Sequence, residues 1–303
     1  MGHSEMNSSF GYTATKSPIH VEAFLDSDSE TFSYVVADIS TSKAIVIDPV
    51  LDFDYKSGRT STESAEKIVA YLKQQGYQLE WVLETHAHAD HVSAAPFLKA
   101  KTGAKIGIGE HIKVVQQTFK TIFNLEKSFL PNGTQFDHLF SDQDIIAVGG
   151  MSIRIMHTPG HTPADLAYII NEEMAFVGDT LFMPDVGTAR CDFPGGSAKT
   201  LYRSIQSLLA LKPQTELYVC HDYPTKDRGH ECCTTVAKQR ELNIHIRDGV
   251  SEAEFIARRE SRDKTLSMPR LILPAIQLNI RAGDMPPAED NGQIYLKIPL
   301  NML

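Results

Sequence analysis

The run Leu79-Glu80-Trp81-Val82-Leu83-Glu84 leads directly into Thr85-His86-Ala87-His88-Ala89-Asp90-His91. An apolar stretch of strand length that stops on three imidazoles and a carboxylate constrains the fold more than any other feature of the chain. Such side chains are ligands for zinc, iron or manganese. On extended backbone, alternate residues face opposite sides. The ligands can therefore converge only if a loop follows the strand, and the small Ala87 and Ala89 leave room for one. A histidine-rich polar loop would have no need of this order.

Three later residues occupy the same kind of position. His161 lies in His157-Thr158-Pro159-Gly160-His161-Thr162-Pro163-Ala164-Asp165, where Pro159-Gly160 forces a turn after the strand pattern SIRIMH. Asp179 follows MAFVG, and Gly178 lets the backbone turn there. His221 ends ELYVCH. Each candidate thus sits just past the C-terminal end of an expected strand, where the sheet fixes position and the loop supplies reach. Together these residues supply ligands enough for two metals, with Asp179 placed to bridge them.

The rest of the chain reads as alternating strands and helices. HVEAFL, FSYVVADI and KAIVIDPV form a hairpin pattern. Thr60 and Glu63 read as a capping box for a helix with Ala65, Ile68, Val69 and Leu72 on one face and Gly76 at its end. Further helices are expected from Ala94 to Lys101, Ile112 to Phe123, Ser197 to Leu211, Glu231 to Leu242 and Ser251 to Arg262, with a strand at KIGIG. An extended, Pro-containing tail closes the chain. The fold class is α/β: two sheets packed together with helices outside. Residues 1–17 read as an N-terminal extension, and 18–303 as a single domain with a short helical and extended tail.

Charge and composition exclude other classes. With 29 basic and 38 acidic residues the net charge is −9, the wrong sign for binding a nucleic-acid backbone. No apolar run reaches the roughly 18 residues that cross a bilayer, and MGHSEMNSSFGY lacks the core of a signal peptide. The 4 cysteines (Cys191, Cys220, Cys232 and Cys233) show no CxxC spacing and are too sparse for a disulfide framework. A cytoplasmic protein acting on small molecules is expected, with a homodimer left open. Cys191 reads as a small buried residue. Cys220 reads as core, facing away from His221, and His157 as strand-packed.

THAHADH, TPGHT, VGDTLF and CHDY, in this order, resemble the metallo-β-lactamase fold, and within it the glyoxalase II and persulfide dioxygenase branch. GTARCDFPGGSAKTLYRSI and PRLILPAIQLNIRAG resemble the dioxygenase side, and the likeness runs from about Ile19 to Gly283. The resemblance implies a four-layer αββα sandwich holding one Fe(II) per chain on His86, His161 and Asp179. His88, Asp90, His91 and His221 would then be outer partners or a second metal site. It also implies oxidation of glutathione persulfide, or a related low-molecular-weight persulfide, by O₂ and water to thiol and sulfite. The alternative is a two-zinc, glyoxalase II-like thioester or lactone hydrolase using all these ligands. Asp165 departs from the small residues glyoxalase II-like proteins show after this histidine. A tripeptide thiol carries carboxylates and needs cations. Lys226, Arg228, Arg270 and Arg281 are the candidates, with Arg190 and Asp192 as further contacts near Asp179.

Overall fold

The computed structural model describes residues 18–224 and 226–302. The expected extension over 1–17 lies outside the described residues. In chain order the elements begin with β1 (Ile19–Asp26), β2 (Thr31–Asp38), β3 (Lys43–Ile47), β4 (Val50–Asp54), β5 (Arg59–Ser61), α1 (Glu63–Gln75) and β6 (Gln78–Leu83). Next come β7 (Val92–Ser93), α2 (Ala95–Thr102), β8 (Lys105–Gly109), α3 (Ile112–Ile122), β9 (His138–Phe140) and β10 (Ile145–Val148). Then follow β11 (Met151–His157), β12 (Leu166–Ile170), β13 (Met174–Phe176), α4 (Ala198–Leu209) and β14 (Glu216–Tyr218). The last are β15 (Cys233–Thr235), α5 (Val236–Leu242), α6 (Glu252–Asp263) and α7 (Ile272–Asn279).

Two six-stranded sheets face each other. One runs β1-β2-β3-β6-β8-β9 and the other β10-β11-β12-β13-β14-β15, while β5-β4-β7 forms a small third sheet. The apolar strands split by strand parity. On β2, Phe32, Tyr34 and Val36 pack between the sheets, whereas Val35 and Ala37 pack outward against α1, α2, α3 and α7. On β12, Leu166, Tyr168 and Ile170 point inward, and Ala167 and Ile169 point outward to α4, α5 and α6. A strand covered by a sheet on one face and helices on the other has no wet side, so its sequence is apolar throughout. The result is the four-layer αββα sandwich of the metallo-β-lactamase fold.

Three local expectations need correction. The Thr60–Glu63 capping box does not form. Thr60 lies in β5, Thr62 is the N-cap residue without a side-chain cap bond, and its hydroxyl donates to Glu66 Oε1 at 3.0 Å instead. A helix does not begin at Glu231: Cys233–Thr235 pairs antiparallel with β14, and α5 starts after the Thr235 cap. The tail is not wholly extended, because α7 forms over its apolar stretch. Pro274 falls in the first turn of that helix, where no amide donor is required.

Candidate metal centre

β6 delivers the histidine loop, and a buried carboxylate fixes its start. Asp48, just after β3, accepts from Thr85 N and Thr85 Oγ1, both at 2.8 Å, and lies 3.0 Å from His88 Nε2. The carboxylate of Glu84 stands 3.4 Å from the same nitrogen. The far side of the loop is held by α7: Asn279 Nδ2 donates to the carbonyls of His88 and His91 at 2.8 Å, and its Oδ1 accepts from Ser93 N at 2.9 Å. Asp179 follows β13 in a single tight turn. Gly178 has φ +51°, and a Cβ there would lie 2.7 Å from Thr85 Oγ1. That close approach sets Asp179 beside His86.

His86, His161 and Asp179 come together, each buried, with candidate ligand atoms within 4.8 Å of one another. His161 Nδ1 donates to the carbonyl of Arg190 at 2.8 Å, so Nε2 carries the lone pair and faces Asp179 Oδ2 at 3.5 Å. His86 Nε2 is 3.9 Å from the same oxygen. His88, Asp90 and His91 form an adjoining group. His221 Nε2 lies 3.3 Å from Asp179 Oδ1 and 3.4 Å from Asp90 Oδ2.

The donor set fits a metal. His86 Nε2, His91 Nε2, His221 Nε2 and Asp179 Oδ1 are buried and have no hydrogen-bond partner, an expensive state for a polar atom unless a cation meets it. Burial, then the neighbouring imidazoles of His88 and His161, push the His86 ring well below the ordinary histidine range, so it is neutral as a ligand must be. Burial alone would raise Asp90, but the charges of His221 and His91 hold it well below the usual carboxylate range. Burial would likewise lower His88, yet Asp48 and its hydrogen bond carry it well above normal. Asp165 is pushed up to about 6 by burial. It accepts from Thr162 N and Oγ1 at 2.6 Å, so it shapes the turn that carries His161.

One side of the cluster opens on a cavity of about 400 Å³, which Asp90, His161, Asp179 and His221 line. Phe182, Phe193 and Tyr223 give it apolar walls, and Arg190, Arg259, Arg262 and Arg270 line it as cations. Arg190 is already engaged by Asp192, at 2.6 and 2.7 Å, and by the carbonyl of Ser267. Arg270 donates to the carbonyl of Asp28 and stacks 5.0 Å from the Tyr55 ring centroid.

The other expected substrate contacts are not brought to this cavity. Arg228 spends its fork on Asp185 and Asp222, Arg281 pairs with Glu126, and Lys226 is exposed elsewhere. Asp192 is not in the lining; it pairs with Arg190. His157 hydrogen-bonds the carbonyl of Pro163, a structural position as expected. The sequence reading missed Arg259, Arg262, Asp48 and Asn279. Arg259 is buried, pairs with Asp263, and donates to the carbonyl of Thr188 at 2.8 Å, while Asp263 accepts from Cys191 N at 2.9 Å. That pair braces the Gly187–Asp192 loop. Cys220 is buried, as expected of a core residue, but it does not face away from His221. Its Sγ turns inward, donating to Asp48 Oδ2 at 3.8 Å, because regular pairing of β14 stops at Tyr218 and strand alternation no longer governs it.

Residues 27–221 match the model of the metallo-beta-lactamase superfamily, and the chain belongs to that family. It is 51% identical over 284 residues to "Glyoxylase B2" of Dictyostelium discoideum, covering 93% of this chain and 97% of the relative. It is 29% identical over 271 residues to the mitochondrial "Persulfide dioxygenase ETHE1" of Homo sapiens, covering 89% of this chain and 91% of that protein. Among solved structures, ETHE1 from Myxococcus xanthus superposes with a TM-score of 0.69 at 28% identity, covering 88% of this chain and 100% of the other. Among the described residues, no helix is long and apolar enough to cross a membrane.

Proposed function

We propose that the chain is a persulfide dioxygenase. It converts a low-molecular-weight persulfide, glutathione persulfide foremost, with O₂ and water to thiol and sulfite: RSSH + O₂ + H₂O → RSH + SO₃²⁻ + 2H⁺. The observation that carries the reading is the pair of imidazoles, His86 and His161, beside the single carboxylate of Asp179, with His161 and Asp179 lining an open cavity. That donor set suits one Fe(II) with positions left for two small reactants, and iron supplies the redox chemistry of oxygen. The similarity to persulfide dioxygenases over most of the chain supports the same reading.

The protein's own residues position and shield. The Arg190 carbonyl fixes the tautomer of His161, and Asp48 and Asn279 hold the histidine loop at its two ends. Phe193, edge-on to His161 with ring centroids 5.1 Å apart, keeps water off that wall. Arg262 and Arg270 face a substrate's carboxylates. All 4 cysteines are free thiols, which suits the cytoplasm.

A two-zinc hydrolase is the second reading. The unpaired Nε2 atoms of His91 and His221 beside Asp90 favour it, as does the relative named a glyoxylase. Elemental analysis of anaerobically purified protein, followed by an oxygen-electrode assay with glutathione persulfide against a thioester control, separates them. About one iron per chain with O₂ uptake supports oxidation. Two zincs with thioester cleavage and no O₂ uptake would overturn it.

A further inference from the structure

Beside the metal cavity lies a second, much smaller crevice. Ala87 and Ala89 of the histidine loop, Val115 and Phe119 of α3, and Ile276 of α7 line it, all of them buried. It has about 10 Å³ of room, roughly what one molecule of the size of water or O₂ needs. Ala89, His161 and Phe193 line both the crevice and the large cavity, so the two spaces share a wall. The Phe193 ring in that wall is held from two sides, edge-on to His161 and under the Arg190 guanidinium, which stands 5.1 Å from its centroid.

The polar neighbours of the crevice have nothing left to offer a water. The Thr162 hydroxyl donates to Asp165 Oδ1 at 2.6 Å and accepts from Ala164 N at 3.2 Å. His161 donates from Nδ1 to the carbonyl of Arg190, and its Nε2 faces Asp179. A buried water makes about three hydrogen bonds, so a space without such partners stays dry and accepts apolar guests. Of the persulfide, water and O₂ in the proposed reaction, only O₂ is both small and apolar.

We propose that this crevice is a binding site for O₂, separated from the persulfide's cavity by the wall of Ala89, His161 and Phe193. The inference rests on the dioxygenase reading. A tripeptide persulfide in the large cavity obstructs the open approach to the metal ligands, and a dry store behind His161 supplies the gas without passage around the bound substrate. O₂ is held there by dispersion contacts and the exclusion of water alone. No bond forms or breaks in the crevice. Ala89 contributes only a methyl group to the shared wall, which leaves a short step from the store to the metal cavity.

The test begins with crystals of the full-length chain under krypton or xenon pressure, since noble gases report dry apolar sites by anomalous scattering. Expected is one peak between Ala89, Val115, Phe119 and Phe193. It should strengthen in Val115→Ala, which widens the crevice, and vanish in Val115→Leu, which fills it. Ordered water in the crevice, or no gas peak in either the native chain or Val115→Ala, would overturn the proposal. The second readout is an oxygen-electrode titration of the iron-loaded protein. Val115→Leu should raise KM for O₂ severalfold while KM for glutathione persulfide and the iron content stay unchanged. An unchanged KM for O₂, or an equal rise for both substrates, would also sink it. Should Val115→Leu fail to fold, the gas peak of the native chain decides. The two readings fail separately: O₂ uptake without a gas peak removes the store alone, whereas a peak without any O₂ uptake removes the dioxygenase reading and the store's role with it.

Discussion

Asn279→Ala removes three hydrogen bonds between α7 and the histidine loop: two at 2.8 Å to the carbonyls of His88 and His91, and one at 2.9 Å from Ser93 N. Asn279 is 4% exposed, so water replaces these partners poorly. At about 1 kcal/mol net for each bond, the variant should lose about 3 kcal/mol, and more if both carbonyls stay dry. The loop would also lose its preorganisation, which should weaken metal binding roughly 10- to 100-fold. Asn279→Asp keeps the acceptor for Ser93 N but removes both donors, and it should behave nearly as badly. Urea unfolding of the metal-free chain gives the stability term. Competition with a chelator gives the affinity. A loss below about 1 kcal/mol with unchanged metal affinity would refute the claim that α7 holds the loop.

The other predictions probe the surroundings of the cavity. Burial, then the charges of Arg259, Arg262 and Arg258, lower His245 to about 4, against the ordinary value of about 6.5. Its neutral form is therefore stabilising above about pH 6.5, and that contribution, about 3 kcal/mol, is lost as the pH falls toward 4. His245→Gln should show a shallower loss of stability over that window in urea unfolding; an unchanged slope would count against the assignment. Arg259→Met strands the buried Asp263 carboxylate and should cost roughly 3–5 kcal/mol, measurable by thermal or urea unfolding. Arg262→Gln should raise KM for glutathione persulfide roughly tenfold with kcat little changed, the loss of one charge-assisted contact. An uncharged alkyl persulfide should show no such change, and equal effects on both substrates would exclude a carboxylate contact.

Much of this arrangement is written locally. The strands β3 and β12 are apolar at every buried position, and β2 departs from that only at Thr31, Ser33 and Asp38, whose side chains are hydrogen-bonded. The turn residues around Gly160 and Gly178 mark where each strand stops. A ligand placed at a strand end is therefore readable from composition and punctuation alone. The partners that hold those ligands are not. Asn279 lies 191 residues from His88, and nothing in its own neighbourhood reveals that contact. Arg259 and Asp263 look like an ordinary i,i+4 pair on a polar helix, yet both are buried. Arg228 looks like a free cation beside the HDY segment until Asp185 and Asp222 close on it. Asp48 could have been found by the same strand-end rule that picked out Asp179, since it directly follows β3, and its φ of +50° marks the constrained turn.

The central claim is that His86, His161 and Asp179 hold a single iron. Anomalous diffraction at the iron edge, from crystals grown anaerobically with Fe(II), tests it directly. The account predicts one peak, about 2.0–2.2 Å from His86 Nε2, His161 Nε2 and an oxygen of Asp179, the range for nitrogen and oxygen ligands. Two iron peaks bridged by Asp179, or one peak bound only by His91 and His221, would contradict it.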